Sequence, residues 1–508
     1  MSNALQVHIG PLWQLTGDRI SANDALTKIS GRTKVTKQCV VSWLLCWFLL
    51  PTGLGFAQPV PPDSVLTLTH ALDLAAQYYP SIRSKRIETE ATRADLEARK
   101  ASFLPAGAVQ TQALYGTSNN VRGAYFPNEG TTNSVSSGIK NNGPTADAVW
   151  TSLGSLNVNW RAITFGRNKA ELALSQSAIG RAEADYRQEI FVQQVRVADT
   201  YLMALILDQA VRVQEANLNR VQAFRRVMQA NTRSGLRPGV DSSLADAELA
   251  KAQLLLLDSR RMAQQQRVQL GQLTGLPTVA IRLDTTTFQQ TIPPDLAFSE
   301  ARLATHPVLT YYQRQIDLDQ AQTQAIRKSM LPAISLNGSF WARGSGISDN
   351  LSPEGNFNYN PSLGAGLPFR VANYFVGIST VWRFTDLVRI QRETRAQVLR
   401  TLSDQARYDE QLLALRGQQQ TADLQIRTAI EAARQSPVQL GAAQAAYGQA
   451  QARYGAGLAN IYEFTQAYTL LNRAEIDQAV AVNNVWRALL LKAAAEGDLA
   501  NFTRLTAK

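Results

Sequence analysis

Hydrophobic and polar positions along the chain follow a helical period in some stretches and a strand period in others. Residues 69 to 102 place apolar residues such as Leu72 and Ile82 among charged ones, and this helical spacing ends at the Leu104-Pro105 breaker. A second Leu-Pro pair occurs at Leu331-Pro332. After it, residues 333 to 343 alternate strictly, so that apolar and polar residues occupy opposite faces of a strand. The pattern therefore predicts a helix followed by strands.

Four strands of about ten residues are predicted from this alternation, a length that crosses a bilayer when the strand is tilted. They span about 106-116, 150-160, 333-343 and 372-383. Aromatic residues near the strand ends suit the girdles of a membrane barrel. These residues are Tyr115, Trp150, Trp160, Trp341 and Trp382. The stretches 117–149 and 344–370 are rich in Gly, Asn, Ser and Pro and predict long exposed loops.

An uninterrupted helical pattern follows each strand pair, from about Arg167 to Thr232 and from about Asp386 to Tyr454. A helix of this length spans roughly 100 Å at 1.5 Å per residue, which is typical of coiled-coil assemblies and not of globular domains. Each long helix ends at a glycine turn and reverses into a helix of about half its length, which closes near Gly275 or Gly497. We expect the opening and closing helices of one copy, placed end to end, to line its long helix.

The order helix, strand, strand, long helix, helix occurs twice, and the two copies align by sequence. Leu104-Pro105 matches Leu331-Pro332, Trp160-Arg161 matches Trp382-Arg383, and Gly275 matches Gly497. An internal repeat of this kind predicts two copies of one structural unit. We divide the chain into an N-terminal extension with a signal peptide (1-57), a first structural repeat (66-275), an inter-repeat equatorial linker (276-297) and a second structural repeat (298-500).

Composition and charge narrow the function classes. Lys34 and Lys37 precede an apolar stretch that starts at Cys39, and small residues follow near Ala57, which is the pattern of a secretory signal. Both cysteines lie in that stretch, and the chain after Ala57 shows no nucleophile motif, phosphate loop or metal-ligand spacing, so we expect no enzyme activity, cofactor or metal site. The net charge of +11 comes from scattered arginines, which favours solvated helical surfaces over nucleic-acid binding.

Four strands cannot close a membrane barrel, since about eight are needed and open edges are not tolerated in lipid. The chain must therefore oligomerise through its sheet. Three copies would give twelve strands and a lumen, whereas two would give eight strands and almost no lumen. The predicted fold is mainly α with a trimeric 12-stranded membrane β-barrel, continued by a long periplasmic α-helical barrel. A soluble periplasmic coiled-coil protein with a small packing sheet is the alternative.

Several motifs of the chain resemble those of the TolC family of outer-membrane efflux and type I secretion channels. They are the Leu-Pro strand entries at 104–105 and 331–332, the Gln269-Leu270-Gly271-Gln272-Leu273-Thr274-Gly275 segment, and the Arg453-Tyr454-Gly455-Ala456-Gly457-Leu458 turn. The resemblance covers about residues 66 to 500. It implies a homotrimer in outer-membrane lipid that serves as the passive exit duct of a tripartite efflux pump, with a periplasmic adaptor (membrane fusion) protein and an inner-membrane transporter as partners. The outer-membrane component of a type I protein secretion system is the alternative within the family.

The resemblance also implies roles for residues at the two glycine turns, which would form the periplasmic tip. The adaptor-docking tip would comprise Gly235, Leu236, Gly457 and Leu458, and the pore aperture would comprise Asp241, Glu463 and Gln466. Asp241 could equally be an acid that favours the start of its helix. Glu463 is placed about one and a half turns into its helix, which favours the lumen, and a ring of three such acids would prefer cations. Gln466 stands where a second acid is often found.

Overall fold

The computed structural model describes residues 65–117, 146–235, 238–277, 281–285, 288 and 303–506, all within the compact unit Pro61–Lys508. The predicted N-terminal extension and signal peptide (1-57) lie outside the described residues. So do most of the predicted linker 276-297 and nearly all of the predicted loop 117–149.

The described elements follow the order helix, strand, strand, long helix, helix in each half of the chain. The first half contains β1 (Val65–Leu66), α1 (Leu68–Tyr78), α2 (Pro80–Ala101), β2 (Ala106–Thr117), β3 (Ala148–Ile163), α3 (Arg167–Arg233), α4 (Gly239–Thr274) and β4 (Arg282–Leu283). The second contains a 3₁₀ turn (Leu303–Thr305), α5 (Pro307–Lys328), β5 (Ala333–Ser345), β6 (Ile347–Leu351), β7 (Phe357–Tyr359), α6 (Leu363–Gly366), β8 (Val371–Val381), α7 (Asp386–Gly455), α8 (Ile461–Glu496) and α9 (Ala500–Thr506). Mainly helical structure is confirmed.

The four long strands form one antiparallel sheet in the order β2-β3-β5-β8. Helix α2 leads into β2 and helix α5 into β5, and each Leu-Pro pair lies at that corner. β3 and β5 pair across the junction of the two repeats, with Asn159 opposite Asn337. Within the described residues β2 and β8 are the edges of this sheet, so each presents an unpaired row of backbone hydrogen-bonding groups.

The two faces of the sheet differ in chemistry. On one face, here called the apolar face, Val109, Leu156, Phe340 and Tyr374 occupy adjacent register positions, and Val376 is 85% exposed. On the other, the polar face, side-chain hydrogen bonds cross the strands: Asn159 donates to Asn337 Oδ1 at 2.5 Å, Asn337 donates to Ser379 Oγ at 2.6 Å, and Ser339 donates to Asn157 Oδ1 at 2.6 Å. A sheet with an apolar face and a polar face is what a membrane barrel with a wet lumen requires.

Two tryptophans hold the helix end of the sheet in equivalent positions. Trp160 Nε1 donates to the carbonyl of Phe103 at 3.0 Å, and Trp382 Nε1 donates to the carbonyl of Met330 at 3.1 Å. Each bond ties a strand, or the residue just after it, to the corner where the preceding helix turns into its own strand. Trp160 shares the apolar face with Trp150, ten residues away. That spacing corresponds to roughly 25 Å along a barrel axis for a strand tilted by about 40°, which is the height of a lipid-facing band.

The prediction of a plain exposed loop over residues 344–370 is wrong. The segment contains the β6-β7 hairpin and the short helix α6, and it packs back over the apolar face of the sheet near the end remote from the helices. Ser152 Oγ donates to the carbonyl of Leu367 at 2.9 Å. A Cβ at Gly344 would overlap the carbonyl oxygen of Pro368, and one at Gly366 would overlap that of Trp150, so glycine permits this close approach. Local composition could not reveal this packing, because it depends on a distant strand.

The helices form two arrays that share the long helices. Nearer the sheet, α2 packs on α3, and α5 packs between α3 and α7. In the other half, α4 packs on α3, and α8 packs between α7 and α3. Each long helix is therefore lined by two shorter helices placed end to end. Pro437 lies inside α7, which continues through it.

The main hydrophobic core lies where the short helices meet, at mid-height of the long ones. Tyr201 is fully buried there and donates its hydroxyl hydrogen to the carbonyl of Leu66 at 2.8 Å, which fixes the β1-β4 pair against α3. Among the described helices, α3 contains a stretch long and apolar enough to cross a membrane by length and composition. Its most apolar part, Tyr201 to Leu207, includes the buried core residues Leu202 and Leu205, so we assign it to this core.

Candidate pore tip

Two glycine turns lie at the end of the helical array remote from the sheet. Gly235 (φ 71°) follows α3, and Gly457 (φ 76°) follows α7; both are in the left-handed region that favours glycine. At the second turn Leu458 N donates to the carbonyl of Arg453 at 2.9 Å, and Gly457 N donates to that of Tyr454 at 3.1 Å. This is a Schellman motif, in which the last carbonyls of a helix are satisfied while the chain reverses.

Glu463 lies in the first turn of α8, and the prediction that it stands one and a half turns into the helix is wrong. Helix α8 begins at Ile461, and the N-cap residue Asn460 accepts a hydrogen bond from Glu463 N at 2.9 Å. Asparagine is among the preferred N-cap residues, which fixes the helix start at this position. The Glu463 carboxylate is 3.4 Å from Arg453 Nε on the other side of the turn. The ion pair offsets part of the negative charge that a ring of Glu463 side chains would carry.

Asp241 connects the two turns. It lies half-buried in the first turn of α4, where a carboxylate favours the positive end of the helix dipole. Its Oδ2 is also 3.4 Å from the hydroxyl of Tyr454, near the end of α7. The same hydroxyl is 2.7 Å from Met228 Sδ on α3. The structure thus places Asp241 both at a helix start and at a contact between the hairpins α3/α4 and α7/α8.

An aromatic core, here called the tip cluster, packs the four helix ends together. Its buried members are Met228, Ala245, Tyr454, Ala459, Ile461 and Phe464, and Phe224, Leu244 and Tyr447 pack against them. Phe224 on α3 and Phe464 on α8 are stacked, with ring centroids 4.2 Å apart and planes 20° apart. Tyr447 and Tyr454 from α7 each contact the Phe464 ring. Aromatic pairs of this geometry add to the stabilisation that comes from burial.

A polar layer lies one to three helical turns above the tip cluster. Arg220 of α3 donates to both carboxylate oxygens of Glu475 of α8, at 2.9 and 2.6 Å, and both side chains are about four-fifths buried. Tyr468 of α8 donates to Glu248 of α4 at 3.3 Å, and burial, with a smaller contribution from the Glu248 charge, raises the pKa of Tyr468 to about 12. At neutral pH this layer therefore contains an uncharged Tyr468 and the paired charges of Arg220 and Glu475.

Those of the remaining predicted site residues that the structure describes are on the surface of one chain. Gln466 is exposed on α8, and Leu458 is 72% exposed at the turn. Leu236 lies outside the described residues. Sequence reasoning missed the Arg453–Glu463 and Arg220–Glu475 pairs. The ten-residue separation of Arg453 and Glu463 across one turn was a usable signal, but Arg220 and Glu475 are 255 positions apart and carry no local signal.

No group of three or more His, Cys, Asp or Glu side chains suited to a metal ion occurs in the part of the chain that the structure describes. His306 is buried at the N-cap of α5. Its Nδ1 accepts from Val308 N at 3.2 Å, and its Nε2 lies 3.1 Å from the carbonyl oxygen of Ala494. Burial lowers the pKa of this imidazole. Its contacts hold α5 against the end of α8.

Comparison with known sequences finds a family match within the first half of the chain. Residues 71–276 match the outer membrane efflux protein family. A segment of 191 residues is 27% identical to the pyoverdine export outer membrane protein OpmQ of Pseudomonas putida. That segment is 37% of this chain and spans 39% of the length of that relative.

Solved structures of similar fold cover most of the chain. The CmeC outer membrane channel of Campylobacter jejuni has a TM-score of 0.67 at 14% identity, over 87% of this chain and 89% of that one. The open state of the MtrE outer membrane channel of Neisseria gonorrhoeae has a TM-score of 0.64 at 16% identity, over 85% and 89%. The outer-membrane channel OprN has a TM-score of 0.64 at 20% identity, again over 85% and 89%. The fold is that of TolC-like channels.

Proposed function

Residues 71–276 match the outer membrane efflux protein family, and from this premise we propose that the chain is the outer-membrane exit duct of a tripartite efflux pump. In this proposal it passes substrates passively from the periplasm to the exterior. Its partners are a periplasmic adaptor and an inner-membrane transporter. The family and the structural neighbours are channel proteins. The family description and the pyoverdine export relative favour efflux and export over type I protein secretion.

The observation that carries the proposal is a membrane-length sheet with two free edges, continuous with helices of roughly 100 Å. One chain supplies four strands to this sheet, and its edges β2 and β8 remain unpaired within the described residues. Pairing β8 of one copy with β2 of the next, three times, gives a closed twelve-stranded barrel with a lumen. The apolar face would meet lipid and the polar face would line the lumen.

The helices show a matching free surface. On α7 an apolar stripe runs along one side at steps of 14 and 11 residues, which are close to whole numbers of helical turns. Its members are Val388, Leu402, Leu413, Leu424 and Val438, each 60 to 71% exposed in one chain. At the opposite flank of the array, α4 exposes Leu254 and Leu257 at 67% and 61%. Contact between these flanks in a homotrimer would bury both and close the periplasmic α-helical barrel.

In this assembly the residues at the two glycine turns would serve in adaptor docking and in the pore aperture. At the end of the helical array remote from the sheet, where an adaptor would dock, we place Gly235, Leu236, Gly457 and Leu458. We place Asp241, Glu463 and Gln466 around the periplasmic aperture. The exposed Leu458 and Gln466 and the contact of Asp241 with Tyr454 support this arrangement.

Disulfide cross-linking of the two sheet edges tests the assembly. Residues 58–508 contain no cysteine, so introduced cysteines report only on themselves. One cysteine is placed on β2, at Ala108, and the second is moved along the polar-face positions Asn373, Phe375 and Gly377 of β8. We expect one register to yield covalent trimers in outer-membrane fractions. The matched control places the second cysteine on β3, at Asn157, which faces Ala108 within one chain and should give cross-linked monomers only.

A water-soluble monomer that needs no detergent, with no cross-linked trimer in any β2-β8 register, would contradict the proposal. That result would favour the soluble periplasmic coiled-coil protein.

A further inference from the structure

The four long strands carry charge of one sign. Arg161 and Arg343 are the charged residues of β2, β3, β5 and β8, and these strands contain no Asp or Glu. Both arginines occupy polar-face positions, since Arg161 pairs with Ser335 and Arg343 pairs with Leu153 on that face. Neither takes part in an ion pair among the described residues, and both are exposed. The face opposite the apolar one is therefore electropositive.

Arg343 lies in a cleft whose described lining residues all come from one chain. The cleft has a volume of about 430 Å³, and the structure lines it with Gln112, Thr151, Ser345 and the guanidinium-bearing Arg343 and Arg370 among others. Arg370 N donates to the carbonyl of Arg343 at 2.8 Å, and its Nη2 donates to the carbonyl of Ala365 at 2.9 Å, so its backbone and side chain are held. No carboxylate is among the described residues that line the cleft.

Aromatic rings lie beside this cleft on the same face. Trp341 is two residues before Arg343 on β5 and therefore points to the same side, about 7 Å away along the strand. Phe375 of β8 is on that face as well, and its ring meets the Trp341 ring edge to face at 5.8 Å. A guanidinium group binds sulfonate, carboxylate or phosphate, and neighbouring rings on the same face favour an apolar body attached to the anion.

We propose that the cleft at Arg343, with Trp341 and Phe375 beside it, binds amphipathic organic anions in the barrel lumen and favours them as cargo. The proposal rests on the exit-duct function for the orientation of the polar face. In a trimer Arg343 and Arg161 would form two basic rings, the pattern of anion-conducting pores. At the aperture the Arg453–Glu463 pair offsets the acidic ring that would otherwise repel such cargo.

Two measurements test the site, one of which needs no channel activity. Binding of naphthalene-1-sulfonate to the detergent-solubilised protein is measured by equilibrium dialysis. Arg343→Gln should weaken it roughly tenfold, the loss expected for a charge-assisted hydrogen bond, whereas Arg343→Lys should retain most of it. Trp341→Leu should weaken naphthalenesulfonate binding without changing the charge of the lumen.

Planar-bilayer recording in a KCl gradient supplies the second measurement. The wild-type channel should prefer chloride over potassium, Arg343→Gln should reduce that preference, and Trp341→Leu should leave it unchanged. A preference for potassium, or equal naphthalenesulfonate binding by wild type and Arg343→Gln, overturns the proposal. Binding that depends on Arg343 in a protein without conductance would retain the site and reject the exit-duct function.

Discussion

The stability of the helical array should depend on a pair of aspartates between α5 and α7. Asp319 of α5 is 8% exposed; its Oδ1 accepts from Gln397 at 3.3 Å and from Gln315 at 3.4 Å, while its Oδ2 has no donor within the described structure. Asp404 of α7 lies against it, and burial followed by that second carboxyl raises the pKa of Asp319 to about 6. Arg400 lowers it by a smaller amount.

The sign of the pH dependence follows from the raised pKa. The folded state holds a proton on Asp319 more tightly than the unfolded state does, so the stabilising contribution is complete below about pH 4 and is lost as the pH rises through about 6. A rise from 3.8 to about 6 corresponds to about 3 kcal/mol per chain. For a chain of this size that is roughly 3 °C in the melting temperature.

The variant Asp319→Asn cannot ionise and keeps a donor toward Asp404. We expect its melting temperature minus that of the wild type to rise by roughly 3 °C between pH 4 and pH 7.5, measured by intrinsic fluorescence of the detergent-solubilised protein. Asp317→Asn is the matched control, because Asp317 lies two residues away on another side of α5 and pairs with Arg314 at 3.1 Å. Melting curves of Asp319→Asn and wild type that shift in parallel over this pH range would refute the raised pKa of Asp319.

Two further predictions concern the tip. Gly457→Val forces a β-branched residue into a left-handed conformation, at a cost of about 1–2 kcal/mol. We therefore expect export to fail while trimers persist on gels. Loss of the trimer would instead show that the turn is needed for folding. Arg220→Gln leaves the Glu475 carboxylate partly buried without its bidentate partner and should destabilise the protein by about 2–3 kcal/mol, whereas Arg473→Gln, at an exposed pair, should change the melting temperature little. Equal melting temperatures of these two arginine variants would contradict the expectation that the buried pair stabilises the protein more than the exposed one.

Local pattern was enough for the mainly helical character and for a resemblance that the comparisons confirm. The TolC-like resemblance was drawn from Leu-Pro corners and glycine turns, and these are positions where backbone geometry restricts the residue type. Long helices and alternating strands are visible in sequence because burial repeats with the period of the element. The prediction for Glu463 failed by a few residues, since helix starts depend on a single capping side chain, here Asn460.

The tertiary structure determines which residues contact each other across helices and strands. The Arg220–Glu475 pair, the Phe224–Phe464 stack and the Asp319–Asp404 contact join residues far apart in sequence, and no spacing rule links them. The folded segment 344–370 is a further case, because Gly366 fits against the backbone of Trp150, in a strand from the other repeat. The sequence by itself determined the periodic elements and their repetition, because these depend on near neighbours along the chain. Folding determines which charges are paired, which aspartate has a raised pKa, and which arginines of the polar face form no ion pair among the described residues. These features depend on groups that are far apart along the chain.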